Sequence, residues 1–368
     1  MQVGSYKVAS PEMIDTPAMV TYPHLVASNI DEIIRMCGGA ENIVPHAKTH
    51  KSKSVIEMQV EKGIFSYKCA TLKEAEMAVS GGAHEIILAY PLLHPIKLRR
   101  FIDMVQKYPD VTFRTIASTE EHLLAMSKMA TKDNVTLDVY MDLDTGMRRT
   151  GVQPGMKACD FYCSIADKNN LNPVGVHVFD GETLYITDFE RRSELVTRTV
   201  SSLKDIWENA EKNQIPVADN LVGGSWSFSH YIQEPNIRVT PGTWIYWDTR
   251  NAEMEELDFD IASLILGQVI DSDDDKDTVT VDIGSKSSSS DQPLVHRFKI
   301  IGFPNTELIA QSEEHGVVKL NGDILNVGDY ILAAPGHACT LTVKFPFTNV
   351  ISEKGLPEGF FMHDARDR

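Results

Sequence analysis

Long apolar runs are missing from this chain: none approaches the ~20 residues needed to span a bilayer, and the opening segment "MQVGSYKVASPEM" has no basic stretch leading into an apolar one. Neither membrane insertion nor secretion is expected, and a cytoplasmic location is. Positive charge is also scarce. Lys and Arg number 35 against 52 Asp and Glu, a formal net charge of −17. With a pI near 5.1, such a surface repels nucleic acid and anionic lipid, which leaves a small molecule as the expected ligand. An anionic ligand must then meet a local positive site. Cysteine is sparse and scattered: Cys37, Cys69, Cys159, Cys163 and Cys339 form an odd set with no framework spacing, which excludes a disulfide-stapled scaffold and suits a reducing compartment. No Gly-x-Gly-x-x-Gly opens the first helix, so the pattern lacks the dinucleotide-binding signature.

What is present is a repeated alternation of apolar strands and amphipathic helices. "AMVTY", "NIVPHAK", "FSYKCA", "EIILAY", "VTFRTIA", "TLDVYMDLD", "PVGVHVF" and "DNLVGG" read as buried parallel strands. Helix starts are marked by the S/T-x-x-E spacing at Thr71–Glu74 and Ser118–Glu121, in which hydroxyl and carboxylate satisfy orphan backbone donors. About eight such strands in roughly 230 residues predict a (β/α)8 barrel over residues 1–250, of which the first residues can instead join the following domain. From about residue 258 the texture changes to short β-runs separated by Gly, Asp, Asn and Pro turns, which predicts a second, C-terminal antiparallel β domain over residues 251–368. Within it "DSDDDKD" reads as a solvated hairpin loop, or alternatively as a weak divalent-ion site.

Four stretches carry chemical groups. In "PHAKTHK" (Pro45–Lys51), Lys48 ends an early strand, the end that faces the mouth of a barrel. Desolvation and cationic neighbours such as His46 or His50 would give it the neutral amine that a Schiff base needs, whereas the bland reading is a loop lysine between surface histidines. "LVGGSWS" (Leu221–Ser227) presents amides at Gly223, Gly224 and Ser225 as a phosphate cradle or as a plain turn, and "TPGTW" (Thr240–Trp244) could close that cradle. "DLDTGMRRTGV" (Asp142–Val152) puts two arginines on a glycine-bordered loop, either with one pointing inward to hold a phenolate or carboxylate, or with both paired to surface acids. "PGHACT" (Pro335–Thr340) carries His337 and Cys339, which in extended chain share one face. Together they are either a two-ligand zinc site completed by water or substrate, or core packing.

Ten segments in order, "DTPAMV", "PHAKTHK", "CATLKEAE", "ILAYP", "DTGMRRTGV", "LVGGS", "PGTWIYWD", "DIGSKSSSSD", "SEEHG" and "PGHACT", span nearly the whole chain. Their series resembles the D-threonine aldolase and D-serine dehydratase group of fold-type III pyridoxal-phosphate enzymes, relatives of alanine racemase. The resemblance implies an alanine racemase-like barrel joined to a β domain, working as a homodimer on a D-amino acid. It implies that Lys48 carries pyridoxal 5'-phosphate as a Schiff base and serves as the base for the Cα proton. Arg149 would face the ring oxygen, with Gly223, Gly224, Ser225, Gly242 and Thr243 around the phosphate. His337 and Cys339 would bind a divalent metal, zinc ahead of manganese. The pair is His-x-Cys in the dehydratase branch and His-x-Asp in the aldolase branch, so the thiol favours β-elimination to ketoacid and ammonia over retro-aldol cleavage to glycine and an aldehyde.

Three positions depart from the pattern. Val44 stands where many relatives have arginine, Trp244 where tyrosine is common, and Phe179-Asp180-Gly181-Glu182 where they have Tyr-x-Gly-His. With that histidine gone, Glu182 is the candidate for its catalytic role. Three competing functions remain: an amino-acid racemase, which needs two bases and no metal, a non-catalytic pyridoxal-phosphate carrier, against which the long β domain argues, and an ordinary barrel hydrolase without cofactor.

Overall fold

The computed structural model describes residues 1–368, the side chain of Asp274 excepted. It divides into two compact units. The first comprises Met1–Glu32, Thr49–Val55 and Thr243–Asp367, the second Ile33–Lys48, Ile56–Gly242 and Arg368.

The second unit is a parallel barrel. Seven strands are hydrogen-bonded in sequence order: Ser66–Cys69, Glu85–Leu88, Thr112–Ala117, Leu137–Leu143, Leu171–Val178, Leu221–Val222 and Arg238–Val239. Residues 43–47 take the eighth place. Val44 N donates to Val239 O (2.9 Å) and His46 N to Pro241 O (3.0 Å), while Ala47 N donates to Lys68 O and Lys68 N to Pro45 O, both 2.9 Å. One short segment thus ties both edges of the sheet together, which removes the unpaired edges an open sheet would expose. Its interior is filled by Val44, Ile87, Ile116, Tyr140, Val174 and Leu221.

Helix entry follows local chemistry. Thr71 caps the helix Leu72–Ser80 by accepting from Glu74 N (3.1 Å), and Glu74 Oε2 reaches back to accept from Ala70 N (2.6 Å). The hydroxyl half of the pairing expected from the spacing is therefore present, while the carboxylate's return bond goes to Ala70, one residue ahead of the cap. At the helix Glu120–Asp133 the cap sits one residue later than the spacing suggests: Thr119, not Ser118, accepts from His122 N. Ser118 N is instead turned toward His122 Nδ1 at 3.3 Å.

The first unit is built on a largely antiparallel sheet of nine strands. Its centre is the strand Ser263–Asp273, paired with Thr278–Val281, Tyr330–Pro335 and Ala18–Thr21. "AMVTY", expected in the barrel, belongs to this sheet: Ala18–Thr21 runs antiparallel to Ser263–Leu266 and parallel to Asn349–Val350. All four residues are buried because both edges and both faces are covered. A continuous apolar run signals that burial without revealing which sheet supplies it; Arg238–Val239 fills the barrel position instead. The core gathers Val8, Val20, Tyr22, Leu264, Leu266 and Leu332. "DSDDDKD" is a hairpin connection, with Lys276 Nζ 2.6 Å from Asp273 Oδ2. No helix among the described residues is long and apolar enough to cross a membrane, and none of the five cysteines is in a disulfide.

At the N-terminal end of the barrel strands lies a charge network. Arg238 donates to Glu85 Oε2 (2.6 Å) and to both oxygens of Asp219, while Arg114 bonds Glu85, Asp219 and Tyr140. Burial alone would raise the Glu85 carboxyl, but the Arg238 hydrogen bond with the charges of Arg238 and Arg114 holds it below its ordinary value. Its stabilisation is therefore present above the unfolded carboxylate range and lost as pH falls. Breaking such a part-buried network leaves the remaining charges uncompensated. Arg238→Met is expected to destabilise the protein by about 3–5 kcal/mol in urea denaturation at pH 7, with the deficit shrinking on acidification.

Candidate active site

The barrel closure decides where Lys48 stands. It follows directly on the bridged segment 43–47, at the C-terminal mouth, half-buried. Its Nζ lies 5.5 Å from the centroid of the Phe179 ring. Two further cationic side chains meet the same ring: Arg149, its Cζ at 4.9 Å, and Lys68, its Nζ at 6.0 Å. A positive cluster thus exists in a chain of net charge −17, within the range at which ring quadrupoles attract cations.

The neighbours of Lys48 differ from those expected. His50 is 2% exposed, accepts from Ser52 N at its Nδ1 (3.2 Å), and is driven down to about 3 by burial. It is neutral and cannot supply a cation. His46 Nδ1 faces the Lys48 backbone amide at 3.4 Å. The cation beside Lys48 is Lys68, lowered to about 7 by burial first and by Lys48 second. Sequence reading passed over Lys68, although a lysine within an otherwise apolar strand is itself a signal, since lysine is almost never fully buried.

Of the two arginines on the loop, Arg149 turns toward Phe179. The loop is held by Asp144 Oδ1, which accepts from Gly146 N (3.1 Å) and Arg148 N (2.9 Å). Arg148 takes a left-handed φ of 55°. Nearby, Asp142 and His177 are direct partners across neighbouring strands. His177 Nδ1 donates to Asp142 Oδ1 (2.7 Å), and Thr150 Oγ1 donates to Asp142 Oδ2 (2.8 Å). His177 Nε2 is buried with no hydrogen-bond partner among the described residues. A fully buried polar atom left open in this way calls for a partner from outside the chain, such as water, an ion or a ligand.

The glycine turn departs from the expected cradle of unpaired amides. Gly223 N donates to Val178 O (3.1 Å) and Gly224 N to Ser227 Oγ (3.0 Å). Gly242 N donates to Ser225 Oγ (3.2 Å), which ties the two glycine turns together. The amides of all three glycines are therefore engaged, because the turn continues the strand ladder and is braced from behind. What the glycines provide is space: Gly223 has φ +86°, and a Cβ on Gly224 would sit 2.9 Å from the Phe179 ring. The brace is Asp180, fully buried, which accepts from Ser227 Oγ and Tyr231 OH, each 2.8 Å. Glu182 lies half-buried in the short turn Gly181–Thr183, packed against Gly146, with Oε2 lacking a hydrogen-bond partner among the described residues.

In the β-rich unit His337 and Cys339 meet by a route other than strand alternation. The strand ends at Pro335, and His337 is the N-cap of the helix Ala338–Thr342. Histidine and cysteine therefore approach across a helical first turn. His337 Nδ1 donates to Asp291 Oδ2 (2.6 Å), and Thr340 Oγ1 fixes Asp291 Oδ1 (2.5 Å). Burial opposes charge on His337, but the Cys339 sulfur and the Asp291 hydrogen bond overcome it and push the imidazole up to about 11. Thr49 Oγ1 lies 3.1 Å from Cys339 Sγ. Thr243, buried in the turn Thr243–Ile245, has its Oγ1 4.0 Å from the same sulfur. No group of three or more His, Cys, Asp or Glu among the described residues is arranged for a metal ion. An imidazole and a sulfur still form a zinc-type donor pair, and a carboxylate on the other ring nitrogen is the usual support for a metal-bound histidine. The donor set fits a metal whose remaining positions are filled by water or substrate.

The sequence profile described as "Alanine racemase, N-terminal domain" matches residues 24–249, and that of a "Putative serine dehydratase domain" matches residues 262–351. The 3-hydroxy-D-aspartate aldolase of Paracoccus denitrificans (strain Pd 1222) is 24% identical, over 79% of this chain and 76% of its own. The D-threo-3-hydroxyaspartate dehydratase of Delftia sp. (strain HT23) is 23% identical, over 93% and 95%. Among solved structures, D-threonine aldolase from Filomicrobium marinum superposes with a TM-score of 0.87 at 19% identity, covering 100% of this chain and 98% of that one.

The Asp180 brace has a testable signature. Burial raises its carboxyl to about 6 against the hydroxyl donors that favour the anion. A raised carboxyl contributes stability that is complete below the unfolded value and is lost as pH climbs through about 6. The stability advantage of the native protein over Asp180→Asn is expected to be larger at pH 4 than at pH 7 by about 2–3 kcal/mol in denaturant titrations. A pH-independent difference would rule out Asp180 as the titrating brace.

Proposed function

As a member of the alanine racemase N-terminal domain family, the chain has relatives that are lyases of D-configured β-hydroxy amino acids, and we propose that it is a pyridoxal-phosphate-dependent, metal-assisted lyase of that class, with dehydration ahead of aldol cleavage. The observation that carries this reading is the convergence of Lys48, Lys68 and Arg149 on Phe179 beside the open His177 nitrogen. A cofactor that is both aldehyde and anion satisfies an amine and two other cations together.

Lys48 would hold the aldehyde carbon covalently and accept the Cα proton. Arg149 would face the ring oxygen. Ser225, Gly242 and Thr243, with the space left by Gly223 and Gly224, would seat the phosphate. When bound, the cofactor supplies a conjugated ring that takes up the electron pair left at Cα. Phe179 covers that pocket with an apolar face and limits water. Glu182, with one oxygen unpaired, is the group for proton transfer at the β-hydroxyl in place of the histidine that related sequences carry.

A divalent metal, zinc or manganese, at His337 and Cys339 would polarise the β-hydroxyl. With Asp291 on Nδ1, the metal would displace the proton that His337 otherwise shares with the Cys339 sulfur. The sulfur of Cys339 favours the elimination branch, in which the hydroxyl leaves and ketoacid and ammonia are released. We place the protein in the cytoplasm as a homodimer.

The deciding experiment incubates the protein with D-serine, D-threonine and D-3-hydroxyaspartate, with and without zinc or manganese, and scores ketoacid against glycine. Ketoacid without glycine is expected, and it should vanish on chelation. Turnover that survives chelation, with inversion at Cα as the product, would assign the protein to the racemases. Lys48→Ala should lose the borohydride-reducible cofactor adduct altogether. Cys339→Ala should keep that adduct and lose most turnover. Asp291→Ala should weaken metal binding by about 10- to 100-fold while leaving cofactor absorbance intact.

A further inference from the structure

Lys68 lies in the strand Ser66–Cys69, 2% exposed. Its side chain runs past the closing segment 43–47 to the far edge of the sheet. There Nζ donates to Thr240 Oγ1 (2.5 Å), and that hydroxyl donates on to Gly223 O (2.6 Å). The amine is thereby fixed at the root of the glycine turn and above Phe179, together with Lys48 and Arg149.

The charged groups facing it are Lys48 and Arg149, which repel its proton, and Asp142 and Asp180, which favour it. Both carboxylates are engaged elsewhere: Asp142 by His177 and Thr150, Asp180 by Ser227 and Tyr231. An ammonium carries three donors, and among the described residues Thr240 is the one hydrogen-bond partner shown for this one. A buried cation with a single hydroxyl acceptor and no carboxylate in contact lacks its counter-charge. Burial and Lys48 accordingly lower it to about 7, so a ligand bearing negative charge would restore what the protein itself withholds.

We propose that Lys68 is a further cofactor-binding residue: braced by Thr240, its ammonium is the buried counter-charge for an anionic group of the aromatic aldehyde that Lys48 binds. This rests on the reading of the site given above. Binding and protonation of Lys68 are then linked. The anionic cofactor favours the ammonium, so affinity is highest below about pH 7, where the amine already carries its proton, and declines as pH rises above it.

The test is titration of apo-protein with pyridoxal 5'-phosphate by absorbance at pH 6, 7, 8 and 9, for the native chain, Lys68→Met and Thr240→Val. Native affinity is expected to fall across this series more steeply than that of Lys68→Met. At pH 6, Lys68→Met is expected to bind about 10- to 100-fold more weakly, as for loss of one charge-assisted hydrogen bond. Thr240→Val keeps the amine but removes its brace, so it is expected to show a smaller loss in the same direction. It serves as the deciding variant if Lys68→Met does not fold by circular dichroism. Equal affinity and equal pH dependence in the folded variants would overturn the assignment of Lys68 while leaving Lys48 in place. A native protein with no reducible adduct at Lys48 would instead overturn the reading of the whole site.

Discussion

The closure of the barrel by residues 43–47 is the constraint on which the site depends. Four backbone hydrogen bonds join this segment to Val239, Pro241 and Lys68. They set Lys48 at the mouth, Lys68 on one neighbouring strand, and Thr240 with Gly242 just beyond the other. Pro45 is tolerated because its carbonyl, not an amide it lacks, makes the contact to Lys68 N. Residues far apart in the chain thus become neighbours through strand order and register alone.

The electrostatics follow from that placement. Surface charge repels anions, yet the barrel mouth collects Lys48, Lys68 and Arg149 around an aromatic ring. Its two buried carboxylates are already committed to hydroxyls and an imidazole, so they orient the site without neutralising its cations. Asp142 holds His177 in one tautomer, and Asp180 braces the glycine turn through Ser227 and Tyr231. This division separates positioning groups from groups left open to a ligand. In the β-rich unit, likewise, Asp291 is spent on His337 Nδ1, while the same imidazole also bonds the Cys339 sulfur.

Legibility differed by the range of the interaction. The βα alternation, the change of texture after the barrel and the hydroxyl cap at Thr71 could be read directly, because each rests on contacts within a few residues. The cap at Thr119 slipped by one residue, since Ser118 and Thr119 offer equivalent hydroxyls and only the local backbone selects between them. Ala18–Thr21 was placed in the barrel because burial on all sides gives the same apolar run in either sheet. The amides at Gly223, Gly224 and Gly242 looked open because their acceptors, Val178 O, Ser227 Oγ and Ser225 Oγ, are fixed only when the turn is folded.

The sequence by itself determined a barrel-forming half followed by an antiparallel half, and it supplied the amine, the arginine, the glycine turns and the imidazole–thiol pair, because strand periodicity, turn chemistry and side-chain type are local properties. The tertiary structure alone decided that Lys68, rather than His50, is the cation beside Lys48. It also decided that His177 keeps one nitrogen open and that Asp291 stands behind His337. Those outcomes depend on which distant groups share a buried volume, and burial there is set by strand order and register across the whole sheet, which no short window of residues contains.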